Sequence, residues 1–327
     1  MNKTLQSYLE DISGEIRKLP LDGEPGELYK PVSYCLENGG KRIRPLMTLL
    51  GCELLGGDVK RAMPPALGLE LFHNFTLMHD DIMDGAPVRR GKPTIHKKWS
   101  INTAILSGDV LFALACRYIS KVPDSALRSV LDLFHQTVTE VCEGQQYDMV
   151  FETKKDVSVD EYVRMIRLKT AVLPAACLKT GAILAGAREV EQQKLYRFGE
   201  YIGLAFQLRD DWLDVYSDST EFGKQTGGDI ISNKKTWLYI QALAMAGAKQ
   251  KEFLLDAFNR PGSVDDNTGK VEAVKKVYDS LGIGELAQEQ MKEYYSKAFG
   301  YLDIVCVPDS GKENLRELAK NLFDRKK

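Results

Sequence analysis

The chain of 327 residues is predicted to be all-α. Three observations carry that prediction. Apolar residues recur three and four apart through long runs. Alternating strand patterns bounded by hairpin turns are scarce. Gly and Pro gather into short breaks, as in helical bundles with brief connections. Apolar residues make up 44% of the chain, enough for a large core. No low-complexity tract or linker composition interrupts it, so residues 1–327 are expected to form a single domain.

The opening stretch, MNKTLQSYLEDISGEIRK, is polar and mixed in charge, without the apolar run of a secretory signal. Breaks follow at residues 22–26, 39–40 and 56–58. Helical periodicity then runs through 67–83, 104–119, 130–150 and 195–215. Further breaks fall at 85–94, 223–229 and 260–269. Two connections are longer, 85–98 and 217–233. Each directly follows an acidic cluster, which points to lids over a site.

The net charge of −2 gives no reason to expect nucleic acid or an anionic membrane as partner. No segment approaches the ~18 uninterrupted apolar residues of a membrane span, and a cytoplasmic location is expected. The six cysteines, Cys35, Cys52, Cys116, Cys142, Cys177 and Cys306, include no CxxC pair. Reduced, mostly buried thiols are the simplest reading.

Two acidic clusters stand out. The first, Asp80-Asp81-Ile82-Met83-Asp84, ends the run LELFHNFTLMHDDIMD. The second, Asp210-Asp211-Trp212-Leu213-Asp214, ends GLAFQLRDDWLD. On a helix the outer two aspartates of each cluster lie one turn apart, with Cβ atoms roughly 5–6 Å apart. At an effective dielectric of 20 and ~4 Å, like charges repel by about 4 kcal/mol. A cation should offset this. Carboxylates without His or Cys beside them suit a hard ion such as magnesium, which commonly joins one or two carboxylates to substrate phosphates. The bland alternative, two solvated helix ends, is weakened by the apolar helices that lead into both clusters. A di-iron bundle would take two Glu-x-x-His motifs, and the sequence holds one, Glu70-Leu71-Phe72-His73.

Basic groups accompany the acids. Gly39-Gly40-Lys41-Arg42-Ile43-Arg44-Pro45 ends one helix and opens another. Lys41 and Arg44 share a face if the helix begins at this point, an arrangement that suits a diphosphate. Arg89 and Arg90 follow the first cluster in PVRRGKPT, to pair with its carboxylates or with phosphate oxygens between them. Lys224 and Lys234 lie in the glycine-bearing stretch after the second cluster.

Taken together, GGKRIRP, HDDIMDGAPVRRGKPTIH, RLKTAVL, FQLRDDWLD and the later GK and NKK resemble the trans-polyprenyl diphosphate synthase family, in family order from about Gly39 to Trp237. The resemblance implies a single large helical bundle around a central cavity, the isoprenoid synthase type I fold. It implies head-to-tail condensation of isopentenyl diphosphate with an allylic diphosphate, and a homodimer. Three Mg²⁺ ions would be held by Asp80, Asp81, Asp84, Asp210, Asp211 and Asp214. Arg89, Lys169, Lys224 and Lys234 would contact the allylic diphosphate. Lys41, Arg44, His73 and Arg90 would hold isopentenyl diphosphate. Thr170 and Gln207, with Lys169, would line the reacting centre.

The family also uses bulky side chains upstream of its first acidic motif to floor the hydrocarbon tunnel. In this chain Phe72, Phe75 and Thr76 share one helical face. One aromatic five before Asp80, a small residue next to it and an uninserted motif resemble producers of twenty-carbon geranylgeranyl diphosphate; farnesyl diphosphate comes next. A class I terpene cyclase is the main rival, but the second DDxxD and GGKRIRP argue against it. A non-catalytic family subunit would typically lack one cluster. The basic ending Asp324-Arg325-Lys326-Lys327 is expected to fray.

Overall fold

A computed structural model describes residues 3–217, 227–259 and 267–323. Lys224 and the terminal 324–327 lie outside them. The order of elements is α1 (Lys3–Arg17), α2 (Gly26–Glu37), α3 (Ile43–Leu54), α4 (Val59–Met83), β1 (Val88–Arg89), β2 (Lys92–Pro93), α5 (Ile95–Lys98), α6 (Ile101–Ile119), α7 (Asp124–Thr153), α8 (Val159–Ile166), a π-helical turn (Arg167–Ala171), α9 (Val172–Leu184) and α10 (Glu189–Tyr216). Then come α11 (Gly228–Ile231), α12 (Trp237–Met245), α13 (Ala248–Asn259), α14 (Asn267–Ser280), α15 (Ile283–Asp303) and α16 (Asp309–Phe323). The all-α expectation holds. The stretch after the first acidic cluster is more structured than expected of a lid. A two-residue antiparallel ribbon pairs Val88 with Pro93 and Arg89 with Lys92, and α5 follows at once.

The chain groups into two compact units. The first takes residues 1–136, 176–196 and 305–318, and the second 137–175, 197–304 and 319–327. In the first unit α4 is central. Its side chains are apolar nearly all round, so it buries residues on every face, from Ala62 to Asp81. It packs on α3 and α6, and α2 packs on α6. At Gly68 the helices come so close that a Cβ would stand 2.9 Å from the Ile119 nitrogen. In the second unit Gly203 on α10 does the same against Ala171, at 2.5 Å from its Cα.

All six cysteines are free thiols, but only Cys52 and Cys177 are buried; Cys35 and Cys116 are partly exposed, and Cys142 and Cys306 are exposed. Among the described residues, no helix is long and apolar enough to cross a membrane.

Candidate active site

In the first unit the acidic cluster closes α4, with Asp84 as its C-cap. The three carboxylates differ. Asp81 is buried, and Arg89 grips it through Nε and Nη2, both at 2.7 Å from Oδ1. Burial pushes the Asp81 carboxyl up, and Arg89 opposes this. Asp80 is 4.0 Å from the same guanidinium, and Asp84 is exposed. The pairing of Arg89 with a carboxylate, left open by the sequence, therefore exists for Asp81. Asp80 and Asp84 stay one turn apart, on the side where a hard cation would find oxygen ligands.

Lys41 and Arg42 lie in the loop before α3, and Arg44 in its first turn. Helix α3 starts at Ile43, with Arg42 as its N-cap in a left-handed conformation, φ 49°. Lys41 is thus not helical, and the expectation that it shares a helical face with Arg44 is corrected. The β-carbon of Arg42 makes its left-handed conformation costly, so contacts from outside the loop must hold it. Arg90 donates through Nη1 to the Gly39 carbonyl. His73 lies on α4, and its pKa is depressed well below the usual imidazole range, first by burial and then by the nearby Arg44 and Arg90 guanidiniums. So much positive charge around a neutral imidazole is what an anion pocket requires.

The upstream aromatics form part of a larger group. The Phe72 and Phe75 rings are 5.8 Å apart, and Phe112 of α6 lies 5.2 Å from Phe75. Phe134 of α7 packs edge-on against Phe72 at 5.5 Å. Phe72 is fully buried behind Phe75, which is half-buried. The Thr76 hydroxyl donates to the His73 carbonyl at 2.8 Å. Phe112 and Phe134 carry no sequence signal of this role; only packing brings them to α4.

In the second unit the acidic cluster occupies the last two turns of α10. Asp210 is exposed. Asp211 is buried and accepts from the Tyr162 hydroxyl and from Gln207 Nε2 at 3.0 Å. Asp214 accepts the Asp229 backbone N–H at 2.9 Å. Burial, and then the Asp229 carboxylate, raise the pKa of both Asp211 and Asp214. Crowded, desolvated acids of this kind are relieved by a cation. Among the described residues, no three acidic, His or Cys groups gather closely enough to hold a metal unaided. The fit is therefore to an ion that takes part of its oxygen shell from a diphosphate.

Of the residues expected at the reacting centre, Lys169 and Thr170 sit on the π turn and Gln207 on α10. Helix α8 opens with a capping box: the Ser158 Oγ accepts from Glu161 N at 3.2 Å, and Glu161 accepts from Ser158 N at 3.0 Å. It runs into the π turn that bears Lys169 and Thr170. Such bulges concentrate at functional sites because they re-aim side chains. The Thr170 hydroxyl donates to Gln207 Oε1 at 3.0 Å, so Thr170, Gln207, Asp211 and Tyr162 form one chain of hydrogen bonds. Lys169 reaches Asp148 at 2.5 Å. Burial acts to raise Asp148, but Lys234 and Lys169 beside it hold its pKa below the usual range. Lys234 and Lys235 divide their work. Lys235 donates to the Phe151 carbonyl at 2.8 Å and the Lys154 carbonyl at 2.6 Å, capping α7. Lys234 is left near Asp148 and Asp211. Asp148, Tyr162 and Asp229 were missed in the sequence. The Asp that follows Gly227-Gly228 offered a signal; the other two offered none.

An all-helical protein with an acidic helix end in each unit, each with cations close by, has the fold of the isoprenoid synthases. A crystal structure of a geranylgeranyl pyrophosphate synthase matches it with a TM-score of 0.94 at 41% identity, over 100% of both chains. The geranylgeranyl pyrophosphate synthetase from Pyrococcus horikoshii Ot3 matches with a TM-score of 0.92 at 35% identity, over 98% of both. Geranylgeranyl diphosphate synthase of Methanosarcina mazei is 38% identical over 283 residues, which is 86% of this chain and 85% of that protein. The polyprenyl synthetase family model matches residues 25–281. The chain belongs to the polyprenyl synthetase family.

Proposed function

We propose that this chain is a divalent-metal-dependent trans-prenyltransferase that joins isopentenyl diphosphate head-to-tail to an allylic diphosphate, with geranylgeranyl diphosphate as the favoured product. The observation that carries the reading is the pair of DDxxD helix ends, each beside lysines or arginines, in a chain of this family. The family match runs unbroken through both compact units, which supports treating them as one catalytic domain.

The condensation breaks the allylic C1–O bond, forms a bond from C1 to the isopentenyl double bond, and releases a proton and diphosphate. Mg²⁺, three ions by family resemblance, would be held by Asp80, Asp81, Asp84, Asp210, Asp211 and Asp214, of which Asp81 and Asp211 are buried. The metal supplies charge neutralisation of the departing diphosphate. Arg89, Lys169, Lys224 and Lys234 add fixed positive charge to the same group, and preorganised charge acts without reorganisation cost. Thr170 and Gln207, oriented through Asp211 and Tyr162, present oxygen dipoles to the allylic cation. Lys41, Arg44, His73 and Arg90 hold the second diphosphate. The proton leaves with the diphosphate, so no Ser-His or Cys-His dyad is required.

Incubating purified protein with labelled isopentenyl diphosphate and each of dimethylallyl, geranyl and farnesyl diphosphates tests this. Linear twenty-carbon product with Mg²⁺, and none with chelator, is expected. A cyclised hydrocarbon from allylic diphosphate alone would instead mark a terpene cyclase.

Phe75 sets the product length on this reading. It is half-buried on α4 while Phe72 one turn back is fully buried, and one turn of helix rises about 5.4 Å, comparable to one isoprene unit. Phe75→Ala should shift product beyond twenty carbons by chromatography of the hydrolysed alcohols. An unchanged distribution removes the assignment.

A homodimer accords with the face of α6 that leaves Ile101, Ile105 and Leu106 at 54%, 41% and 57% exposure. Light scattering of the purified chain checks it.

A further inference from the structure

We infer that Glu70 is a positioning residue for isopentenyl diphosphate, acting through a buried ion pair with Arg42 that fixes Lys41 in the loop before α3 and Arg44 in the first turn of that helix. The inference rests on the proposed prenyltransferase reading and on the assignment of that loop to the second diphosphate.

The loop cannot hold its own shape. Gly39 has φ 81°, Gly40 has φ 138° and Arg42 has φ 49°. Only the glycines adopt such angles freely; the side chain of Arg42 makes the left-handed region unfavourable for it. Something outside the loop must impose it. The Arg42 side chain is the tether. It is 8% exposed and turns inward, with Nη1 2.5 Å from Glu70 Oε1 and Nη2 on the Leu36 carbonyl. Both ends of its guanidinium are committed to protein, so Arg42 does not offer them to substrate.

Glu70 is equally fixed. It is 3% exposed on the central helix α4. Asn74 Nδ2 donates to its Oε1 at 3.3 Å and to its carbonyl at 2.8 Å. Cys35 Sγ on α2 lies 3.7 Å from Asn74 Oδ1. The network thus ties the end of α2 and the start of α3 to α4, the helix that also bears His73 and the first acidic cluster.

Energetics point the same way. A buried ion pair commonly adds little net stability, because desolvation cancels the attraction, and apolar replacement of both partners is often neutral. A fully buried Arg–Glu pair beneath a strained loop therefore contributes geometry more than stability. Misplacing a charge by about 1 Å can cost on the order of 10²-fold in the step it serves.

The test separates positioning from folding. Glu70→Gln keeps shape and one acceptor but removes the charge. The double replacement Arg42→Met with Glu70→Leu removes the pair without leaving a buried charge. In both, KM for isopentenyl diphosphate should rise about tenfold, while kcat and KM for the allylic diphosphate stay within about twofold. Titration calorimetry of isopentenyl diphosphate should show the same tenfold weakening without turnover. The melting temperature of the double variant should stay within a few degrees of the parent, whereas Glu70→Leu alone should melt lower. A folded double variant with the parent KM for isopentenyl diphosphate overturns the inference. So does a uniform loss in kcat and both KM values. Failure of the parent protein to consume isopentenyl diphosphate would instead strike the prenyltransferase reading, and it would show before any variant is made.

Discussion

Asp80→Ala should lower kcat by about 10³-fold or more at saturating Mg²⁺, with no loss of thermal stability. A factor of 10³ corresponds to ~4 kcal/mol of transition-state stabilisation, the scale expected when a cation that neutralises a leaving diphosphate loses a ligand. Stability should hold because the carboxylate is partly exposed, at 20%, and lies 4.0 Å from Arg89 rather than in tight contact. Deleting it also removes repulsion from its neighbours. Asp81→Ala should behave differently. Asp81 is buried and held by two Arg89 contacts of 2.7 Å, so its removal frees the guanidinium and leaves it uncompensated. Lower melting temperature and a rise in KM for the allylic diphosphate are expected, with a smaller fall in kcat. Steady-state kinetics at several Mg²⁺ concentrations, beside thermal melts, distinguish the two aspartates. Parent-like turnover by Asp80→Ala would remove the metal role from the first cluster.

Gly144→Ala should lower the melting temperature and reduce kcat by about 10²-fold, although residue 144 bears no functional group. A β-carbon there would stand 2.2 Å from the Lys169 nitrogen, and 2.7 Å from both the Leu168 carbonyl carbon and Lys169 Cα. These are backbone atoms of the π turn, which cannot swing aside as a side-chain tip can. Overpacking of this kind costs typically 1–3 kcal/mol, and relief must come by displacing the turn. Lys169 and Thr170 would move with it, breaking the 3.0 Å bond from Thr170 to Gln207 at the proposed reacting centre. The control is Gly300→Ala on α15, where nothing lies within 4 Å of the added carbon. There the lower entropy of the unfolded chain should leave stability equal or up to ~1 kcal/mol higher. Paired melts and kinetics of the two variants decide the matter. A fully active, stable Gly144→Ala protein would show that the two backbones can part without cost.

Much of this was legible in residue order. The helical period of 67–83 and 195–215 located α4 and α10, because burial of an apolar face imposes that period whatever the partner. The spacing of Asp80 and Asp84 gave their shared face, since one turn of helix is fixed by backbone geometry. Gly39-Gly40 marked the turn into α3. Other features were not legible. The start of α3 at Ile43 depends on the left-handed Arg42, which is held by Glu70, 28 positions away. The hairpin at Val88–Arg89 and Lys92–Pro93 is too short for any alternation to show.

The sequence alone determined the helical class and the family, and it nominated the aspartates, lysines and arginines of the candidate site, because those depend on local period and on residue type. Tertiary structure alone decided how the carboxylates differ: Asp81 turned into Arg89, Asp211 buried beneath Tyr162 and Gln207, Asp80 partly exposed and Asp210 exposed. It also decided that Asp148 faces Lys169 and that Gly144 admits the π turn. The reason is that burial and charge pairing are set by neighbours brought in from distant parts of the chain, and no periodicity within one helix encodes what will pack against it.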